Sequence, residues 1–206
     1  MRVVEWAEFG LKSGISETEL LQAAARMQQG FLAAQAGYVS RQLLVLGQGR
    51  YADQIVWQSH DAASAAMVDA AENVACLDYF ALMHVDARPA LGTPILSHRN
   101  MSDSPGGIEF SLFRLRPNVD EHTLAKAARQ MAADLYDGEP GFQMHMVMRS
   151  DADKQLFADV VLADSAERAR ALCGKWGQGP FHPACVDYLN LIASDSVRLE
   201  FWDRLT

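Results

Sequence analysis

Several features that would assign a sequence to a class at once are absent from this one. Among 206 residues there are three cysteines, Cys76, Cys173 and Cys185, and no CxxC pair. This count predicts free thiols in a reducing cytoplasm rather than a disulfide framework. No stretch of about 18 uncharged apolar residues occurs, so we expect no membrane span. The first residues lack a basic segment followed by an apolar one, so we expect no signal peptide.

Motifs that bind cofactors, metals or nucleic acids are lacking as well. The sequence contains no Gly-rich dinucleotide motif, no Walker A motif, no GxSxG and no group of ligands with zinc spacing. The net charge is −8, and no run of Lys and Arg occurs. Such a charge argues against a broad phosphate-binding surface. We therefore expect no metal, no cofactor and no nucleic-acid partner.

The chain does contain one pattern written twice. Residues Val4–Trp6 match Ile108–Phe110, and the same offset of 104 residues continues without a gap to Gly37 and Gly141. Later in the chain, ACLDYFALMHVD at 75–86 matches ACVDYLNLIASD at 184–195 with an offset of 109. Small insertions in loops explain the drift of the offset. Matches in this order predict an internal duplication.

Each copy has the same order of predicted elements. A strand with period-two alternation comes first, and a helix follows that begins at a capping box of Ser16 and Glu19 in the first copy and at Asp120 in the second. Two strands and a second helix come next, and the doubled apolar stretch is predicted to be the fourth strand. The order β-α-β-β-α-β is the ferredoxin-like unit, with helices on one face of an antiparallel sheet.

The predicted fold class is therefore α+β. We expect two tandem ferredoxin-like (βαββαβ) units, residues 1–87 and 107–206, joined by a linker at 88–106 that is rich in Pro, Gly and Ser. The uncovered face of each sheet needs a partner, and the other copy can supply it. We expect the units to pack sheet to sheet as an intramolecular α/β-barrel.

This arrangement resembles the dimeric α/β-barrel superfamily, with the two units fused in one chain. The segment Trp57–Asp61, an aromatic followed by a polar turn, resembles the antibiotic-biosynthesis-monooxygenase-like group at the end of its third strand. That group includes cofactor-independent oxygenases and haem-degrading enzymes. The Asn/Trp/His set of the haem-degrading type is not found here. The resemblance therefore implies a cofactor-independent monooxygenase or a related enzyme that acts on a small aromatic or polyketide-like molecule.

Three side chains are candidates for proton transfer. His60 lies beside Trp57, a pair that fits a flat aromatic substrate and a base, although Trp57 can equally fill the core and His60 can be solvated. Glu8 lies on the strand face of Trp6, where its twin is Leu112, and can line a pocket or face water. His84 interrupts an apolar stretch and is either paired in the core or directed at a ligand.

Further side chains are candidates for substrate binding. Trp6 and Trp57 offer aromatic surface, and Asn190 interrupts the second copy of the doubled stretch. Arg41 and His145 correspond at an offset of 104, so they can hold an anionic substrate or form charges near a barrel rim.

The sequence leaves two functions open. One is a cofactor-independent monooxygenase, and the other is a non-catalytic small-molecule-binding or stress-response protein. In both cases we expect a small-molecule ligand, a cytoplasmic location and no membrane partner. A homodimer of the fused chain is left open.

Overall fold

The computed structural model describes residues 1–47, 49–84, 89–99, 105–177 and 181–205, without the side chains of 175–177. The chain divides into two compact units. Unit 1 comprises Met1–Leu91 with Leu205–Thr206, and unit 2 comprises Gly92–Arg204. Below, a twin is the residue at the corresponding position of the other unit.

Unit 1 begins with a strand, a helix and a strand hairpin, and two further helices follow. Its elements are β1 (Val3–Gly10), α1 (Glu17–Gly30), a 3₁₀ turn (Leu32–Ala34), β2 (Tyr38–Gly47), β3 (Arg50–Trp57), α2 (His60–Ala70) and α3 (Val74–Phe80). The next strand, β4 (Ala90–His98), crosses the boundary between the units.

Unit 2 repeats this order and completes it with a strand of its own. Its elements are β5 (Gly107–Arg114), α4 (Glu121–Leu135), β6 (Phe142–Ser150), β7 (Leu156–Ala163), α5 (Ala166–Gly177), α6 (Pro183–Leu189), a 3₁₀ turn (Ser194–Ser196) and β8 (Arg198–Arg204).

The strand order within each unit is that of the ferredoxin-like fold. In unit 1, β3 lies between β1 and β2, and both pairings are antiparallel. In unit 2 the order is β8-β5-β7-β6, and all pairings are antiparallel. β4 pairs with the edge of β6 that is not paired with β7. The predicted α+β class with tandem ferredoxin-like units is confirmed.

The doubled apolar stretch was predicted to be the fourth strand, and this prediction is wrong. The first half of each copy is a helix, α3 and α6, and residues 85 and 86 lie outside the described part of the chain. Asn73 caps α3 by accepting a hydrogen bond from the Cys76 amide at 3.2 Å, and Cys76 and Tyr79, three residues apart, form the buried face. The spacing of the apolar residues suits a helix as well as a strand, and the cap decides for the helix.

The true fourth strands come after these helices. β4 lies inside the segment 88–106, whose composition predicts a linker, and β8 follows α6. Residues 88 and 100–104 of that segment lie outside the described part of the chain. Pro and Gly in β4 obscured the strand, and a register shift between Pro94 and Leu96 accommodates the proline, because proline cannot donate to a sheet ladder.

The predicted helix starts are confirmed, and a glycine stands at the turn before β2. Ser16 and Glu19 form the capping box of α1, and Asp120 caps α4 by accepting from the Thr123 amide at 2.7 Å. Gly37 has φ of 80°, and a Cβ there would lie 2.7 Å from the Cβ of Ala62, so both the backbone and the space demand glycine.

Each unit has its own hydrophobic core between sheet and helices. In unit 1 the core includes Leu20, Met27 and Trp57, and in unit 2 it includes Leu124 and Met131. No helix in the described residues is long and apolar enough to cross a membrane.

Candidate active site in unit 1

A cavity of about 560 Å³ lies between the sheet and the helices of unit 1. This volume is within the roughly 300–1,000 Å³ range of small-molecule sites. Its wall is mostly apolar and includes Phe9, Met27, Phe31, Ile55, Phe80 and Met83. Four titratable side chains other than a cysteine line it as well, namely Glu5, Lys12, Asp53 and His84. An apolar cavity with a few polar groups is the usual form of a small-molecule site.

The polar groups divide between the floor and the mouth of the cavity. Asp53 is buried and Glu5 is half-buried, and they lie on neighbouring strands of the sheet that forms the floor. Lys12 and His84 are exposed and mark the mouth. The floor is therefore acidic, and the mouth carries a cation and an imidazole.

Glu5 is held by Trp57. The indole Nε1 of Trp57 donates to Oε2 of Glu5 at 2.9 Å, and the ring is 1% exposed. Burial raises the pKa of the Glu5 carboxyl, the Trp57 hydrogen bond opposes this shift, and the Asp53 carboxylate adds to it. The result is a carboxyl on the cavity floor that holds a proton at higher pH than an ordinary glutamate.

Asp53 belongs to a buried cluster with Arg41 and Tyr79. The Arg41 Nε donates to Oδ1 of Asp53 at 2.6 Å, and the Tyr79 hydroxyl donates to Oδ2 at 2.8 Å. Arg41 also donates to the Tyr79 hydroxyl at 2.8 Å, so the three groups form a closed ring of hydrogen bonds. Burial alone would lower the pKa of Arg41, but Asp53 and Tyr79 raise it above its ordinary value.

Unit 2 contains a twin of this cluster. His145 replaces Arg41, and its Nε2 lies 3.0 Å from both oxygens of Asp159, the twin of Asp53. The Tyr188 hydroxyl, the twin of Tyr79, donates to Asp159. Glu109, the twin of Glu5, is 0% exposed, and its burial, followed by the Asp159 charge, raises its pKa well above the ordinary value.

The space that corresponds to the cavity is filled in unit 2. Tyr136 stands at the position of Leu32 and is 0% exposed, with its ring 5.3 Å from that of Phe142 and 5.6 Å from that of His145. Leu172 stands at the position of Ala66 and is also fully buried. Larger side chains at these twin positions replace the cavity with core.

Two of the predicted site residues line the cavity. Trp57 lies on its floor, and His84 lies at its mouth rather than in a strand, just after α3. The His84 amide donates to the Gly10 carbonyl at 3.0 Å, which attaches this residue to the end of β1.

The other two predicted proton acceptors and Trp6 lie elsewhere. Glu8 is on the opposite face of β1 from Glu5, where it accepts from Arg50 at 2.9 Å and from the Trp6 Nε1 at 3.1 Å. His60 is the first residue of α2, is exposed, and has its Nδ1 3.2 Å from the Ser64 hydroxyl. None of these is among the lining residues of the cavity.

The predicted anion pair and Asn190 have other surroundings than expected. Arg41 and His145 are deeply buried rather than at a rim, and each binds an aspartate of its own unit. Asn190 is the exposed residue at which α6 ends. It therefore does not interrupt a strand.

The site residues predicted from the sequence did not include Glu5, Asp53 or Lys12. The alternation of β1 places Glu5, Ala7 and Phe9 on one face, and this signal distinguishes Glu5 from Glu8. Because Glu5 recurs as Glu109 in the second copy, the sequence indicated a structural role for it rather than a role in a site. Nothing in the sequence marks Asp53 or Lys12 as cavity residues.

Possible cofactor ligands are sparse in the described residues. No group of three or more His, Cys, Asp or Glu side chains among them is arranged to hold a metal ion. Cys76 lines the cavity, but burial raises the pKa of its thiol to about 11, which disfavours the reactive thiolate.

Comparison with known proteins shows the fold. Neither a protein-family model nor a curated protein matches the sequence. Among solved structures, a proposed monooxygenase from Fusobacterium nucleatum subsp. nucleatum has 10% identity and a TM-score of 0.72, and the match covers 100% of this chain and 93% of that chain. An anthrone oxidase-like protein has 13% identity and a TM-score of 0.65, over 100% and 92%.

A third similar structure has the ferredoxin fold. It is a ferredoxin-fold protein from Listeria monocytogenes, related to antibiotic biosynthesis monooxygenases, with 13% identity and a TM-score of 0.59 over 100% of this chain and 95% of that chain. All three likenesses extend over both units. The resemblance suggested by the duplication is therefore confirmed for the fold: this chain has the ferredoxin-like fold of proteins related to the antibiotic biosynthesis monooxygenases.

Proposed function

We propose that the cavity of unit 1 binds a small aromatic, polyketide-like molecule and that the protein oxidises it with molecular oxygen without a cofactor. The observation that carries the proposal is Glu5, a carboxyl with a raised pKa on the floor of an apolar cavity that can hold such a molecule. A general base works best when its pKa lies near the working pH, and burial moves Glu5 in that direction. The likeness to an anthrone oxidase-like protein supports the choice of substrate class.

The chemistry requires one proton acceptor and oxygen. Glu5 takes a proton from an acidic methylene or phenol of the substrate, and the resulting electron-rich carbanion reacts with O₂. The peroxide formed at the carbon regains the proton from Glu5 and loses water. For a methylene the balance is R₂CH₂ + O₂ → R₂C=O + H₂O. Trp57 holds the Glu5 carboxylate in place during this exchange by donating to Oε2.

The buried cluster keeps the second carboxylate in a different role. Asp53 is held by Arg41 and Tyr79 through the hydrogen bonds described above. Its negative charge contributes to the raised pKa of Glu5. Two carboxyl groups with such different surroundings have different roles. Glu5 exchanges a proton with the substrate, and Asp53 provides a fixed negative charge beside it.

Substitution of Glu5 tests the proposal. We expect Glu5→Gln to lower the rate of oxygen uptake with anthrone by about 10²–10⁴-fold, the usual contribution of a general base. Glu8→Gln is the matched control, because Glu8 lies on the same strand but faces away from the cavity and binds Arg50. Rates are measured with an oxygen electrode on protein treated with a chelator. Equal rates for the wild type and both variants would contradict the role of Glu5.

A second function is favoured by one observation. The acidic groups of the cavity already have partners inside the protein, Trp57 for Glu5 and Arg41 with Tyr79 for Asp53. Such a cavity suits a non-catalytic protein that binds small aromatic molecules. Calorimetric binding of anthrone without oxygen uptake or a product would support this function over the first.

The cavity supports the predicted small-molecule partner, and the homodimer and the cytoplasmic location stay predictions. Light scattering of the purified chain tests the homodimer. Localisation of a tagged chain in cells tests the cytoplasmic assignment.

A further inference from the structure

The mouth of the cavity carries two groups that the oxidation does not use. Lys12 and His84 both line the cavity and are both exposed, whereas the acidic groups Glu5 and Asp53 lie on the floor. The charge distribution is therefore polarised along the cavity. A ligand that spans it meets donors at one end and carboxyl groups at the other.

The backbone places Lys12 and His84 on one short antiparallel ladder. The Lys12 amide donates to the Leu82 carbonyl at 2.9 Å, and the His84 amide donates to the Gly10 carbonyl at 3.0 Å. Between them, Leu11 and Met83 form an antiparallel bridge. This short ladder fixes residues 10–12 opposite residues 82–84, so both side chains start from the same edge.

The Lys12 ammonium keeps donors for a ligand. Its Nζ donates to the Ala81 carbonyl at 2.8 Å, where α3 ends. An ammonium has three N–H donors, so this bond to a helix end leaves two for other acceptors. The bond also restricts the side chain, which lowers the entropy lost when a ligand is bound.

The His84 ring lies beside Gly10, where even a Cβ would make only an ordinary van der Waals contact with it. A Cβ at residue 10 would lie 3.4 Å from Cδ2 of His84, so the imidazole lies against a backbone without a side chain. In unit 2, Arg114 stands at the position of Gly10 and Ala193 at the position of His84. The large and the small side chain are therefore exchanged between the two positions. The imidazole over a glycine therefore occurs in the unit that has the cavity and not at the twin positions of the filled unit.

We propose that the ligand of this cavity is an aromatic carboxylate whose carboxylate is bound by Lys12 and His84 at the mouth. This inference rests on the proposed function and adds the substrate class to it. Charge-assisted hydrogen bonds from an ammonium and an imidazole N–H are the donors that a carboxylate prefers. The opposite orientation would bring the carboxylate against Glu5 and Asp53, where like charges repel. The mouth thereby also sets which ring of the substrate reaches Glu5.

A matched ligand pair tests the inference by binding alone. Anthracene-2-carboxylate and anthracene-2-carboxamide have the same rings and differ in charge, and their Kd values are measured by calorimetry near neutral pH. For the wild type we expect the carboxylate to bind about tenfold more tightly, the effect of one good charge-assisted contact of about 1.4 kcal/mol. Lys12→Gln and His84→Gln should each reduce this ratio towards one, with a larger change in the carboxylate Kd than in the carboxamide Kd.

Arg116→Gln is the matched control for a purely structural effect. Arg116 is the twin of Lys12, and its Nε donates to the Ile192 carbonyl at 3.0 Å near the end of α6. It lines a separate pocket of about 510 Å³ in unit 2, so this variant also reports whether the carboxylate binds there instead of in unit 1. This variant should keep the tenfold ratio. Equal loss of the ratio in Arg116→Gln and Lys12→Gln would overturn the inference.

The remaining outcomes separate the inference from the proposed function. If the carboxamide binds as tightly as the carboxylate to the wild type, the carboxylate site is wrong and the aromatic cavity stands. If neither ligand binds, both the cavity as an aromatic site and the carboxylate site are overturned. Circular dichroism of each variant confirms that a lost ratio does not come from a lost fold.

Discussion

The two units share a buried polar cluster but differ in the space beside it. In unit 1, Asp53 with its arginine and tyrosine borders an open cavity. In unit 2, the twin Asp159 binds His145 and Tyr188, and Tyr136 fills the space. The cluster has therefore been kept in both copies, whereas the cavity is found beside one of them. A group present in both copies is part of the scaffold, and the side chains that differ around it decide whether there is a site.

The two clusters also differ in the side chain that pairs with the aspartate, an arginine in unit 1 and a histidine in unit 2. Arg41 carries a permanent charge, and its side chain is 6% exposed, so its pairing with Asp53 is obligatory. His145 is fully buried as well, but an imidazole can lose its proton and be buried as a neutral group. Unit 1 thus depends on its aspartate more strongly than unit 2 does.

Removal of the two aspartates tests this dependence and has the largest expected effect. Asp53→Ala leaves the Arg41 charge buried without its carboxylate, and we expect a loss of about 3–5 kcal/mol in the free energy of unfolding. Asp159→Ala leaves a histidine that can become neutral and a tyrosine without its acceptor, so we expect about 1–3 kcal/mol. Urea denaturation at neutral pH measures both. A larger loss for Asp159→Ala would show that the histidine cluster is the more demanding one.

The twin glutamates should differ in how they make stability depend on pH. The pKa of Glu109 is raised well above its unfolded value, so the folded chain holds a proton that the unfolded chain releases above about pH 4.3. This stabilisation is present at low pH and is lost as the pH rises through the folded pKa, by about 1.4 kcal/mol per pH unit. Glu109→Gln should remove this slope at pH values above about 4.3, where the unfolded chain releases the proton.

Glu5→Gln is the corresponding variant of unit 1 and is measured in the same experiment. Glu5 also has a raised pKa, but its carboxylate is supported by the Trp57 hydrogen bond. We expect its removal to change the slope in the same direction and by less. Urea denaturation at several pH values measures the slopes, and an unchanged slope in Glu109→Gln would mean that Glu109 is ionised in the folded chain.

Most of the fold follows from the sequence because the duplication gives each element twice. The capping residues Ser16 and Asp120 and the turn at Gly37 are local signals, and all are present in the structure. The strand prediction for the doubled stretch was wrong because its apolar residues fit the period of a helix as well as that of a strand. The Pro and Gly content of 88–106 concealed β4. A pattern repeated in both copies reinforces a wrong interpretation as readily as a right one.

Less of the site follows from the sequence, because a cavity depends on volumes from distant segments. The alternation of β1 shows that Glu5 and Glu8 point to opposite faces, but it does not show which face has open space. That is decided by Leu32 and Ala66, small enough to leave a cavity where unit 2 has Tyr136 and Leu172. No local pattern reports such a difference.

Exchange of the residues at one twin position gives the smallest expected effect and tests the comparison most directly. Leu32→Tyr places the residue that fills unit 2 into the cavity of unit 1. Because that cavity is open, the ring has space to enter it, and we expect a change in unfolding free energy below the roughly 1–3 kcal/mol cost of overpacking. Occupation of the cavity should weaken the binding of anthrone at least about tenfold, which corresponds to about 1.4 kcal/mol.

The reverse exchange, Tyr136→Leu, is the control, because it leaves the cavity of unit 1 intact and should leave anthrone binding there unchanged. Calorimetry measures binding, and urea denaturation measures stability. If Leu32→Tyr retains full affinity, the ligand does not occupy the space beside Leu32, and the difference between the units does not explain the function. If only Leu32→Tyr loses affinity, the open space in unit 1, and not the polar cluster common to both units, is what makes the site.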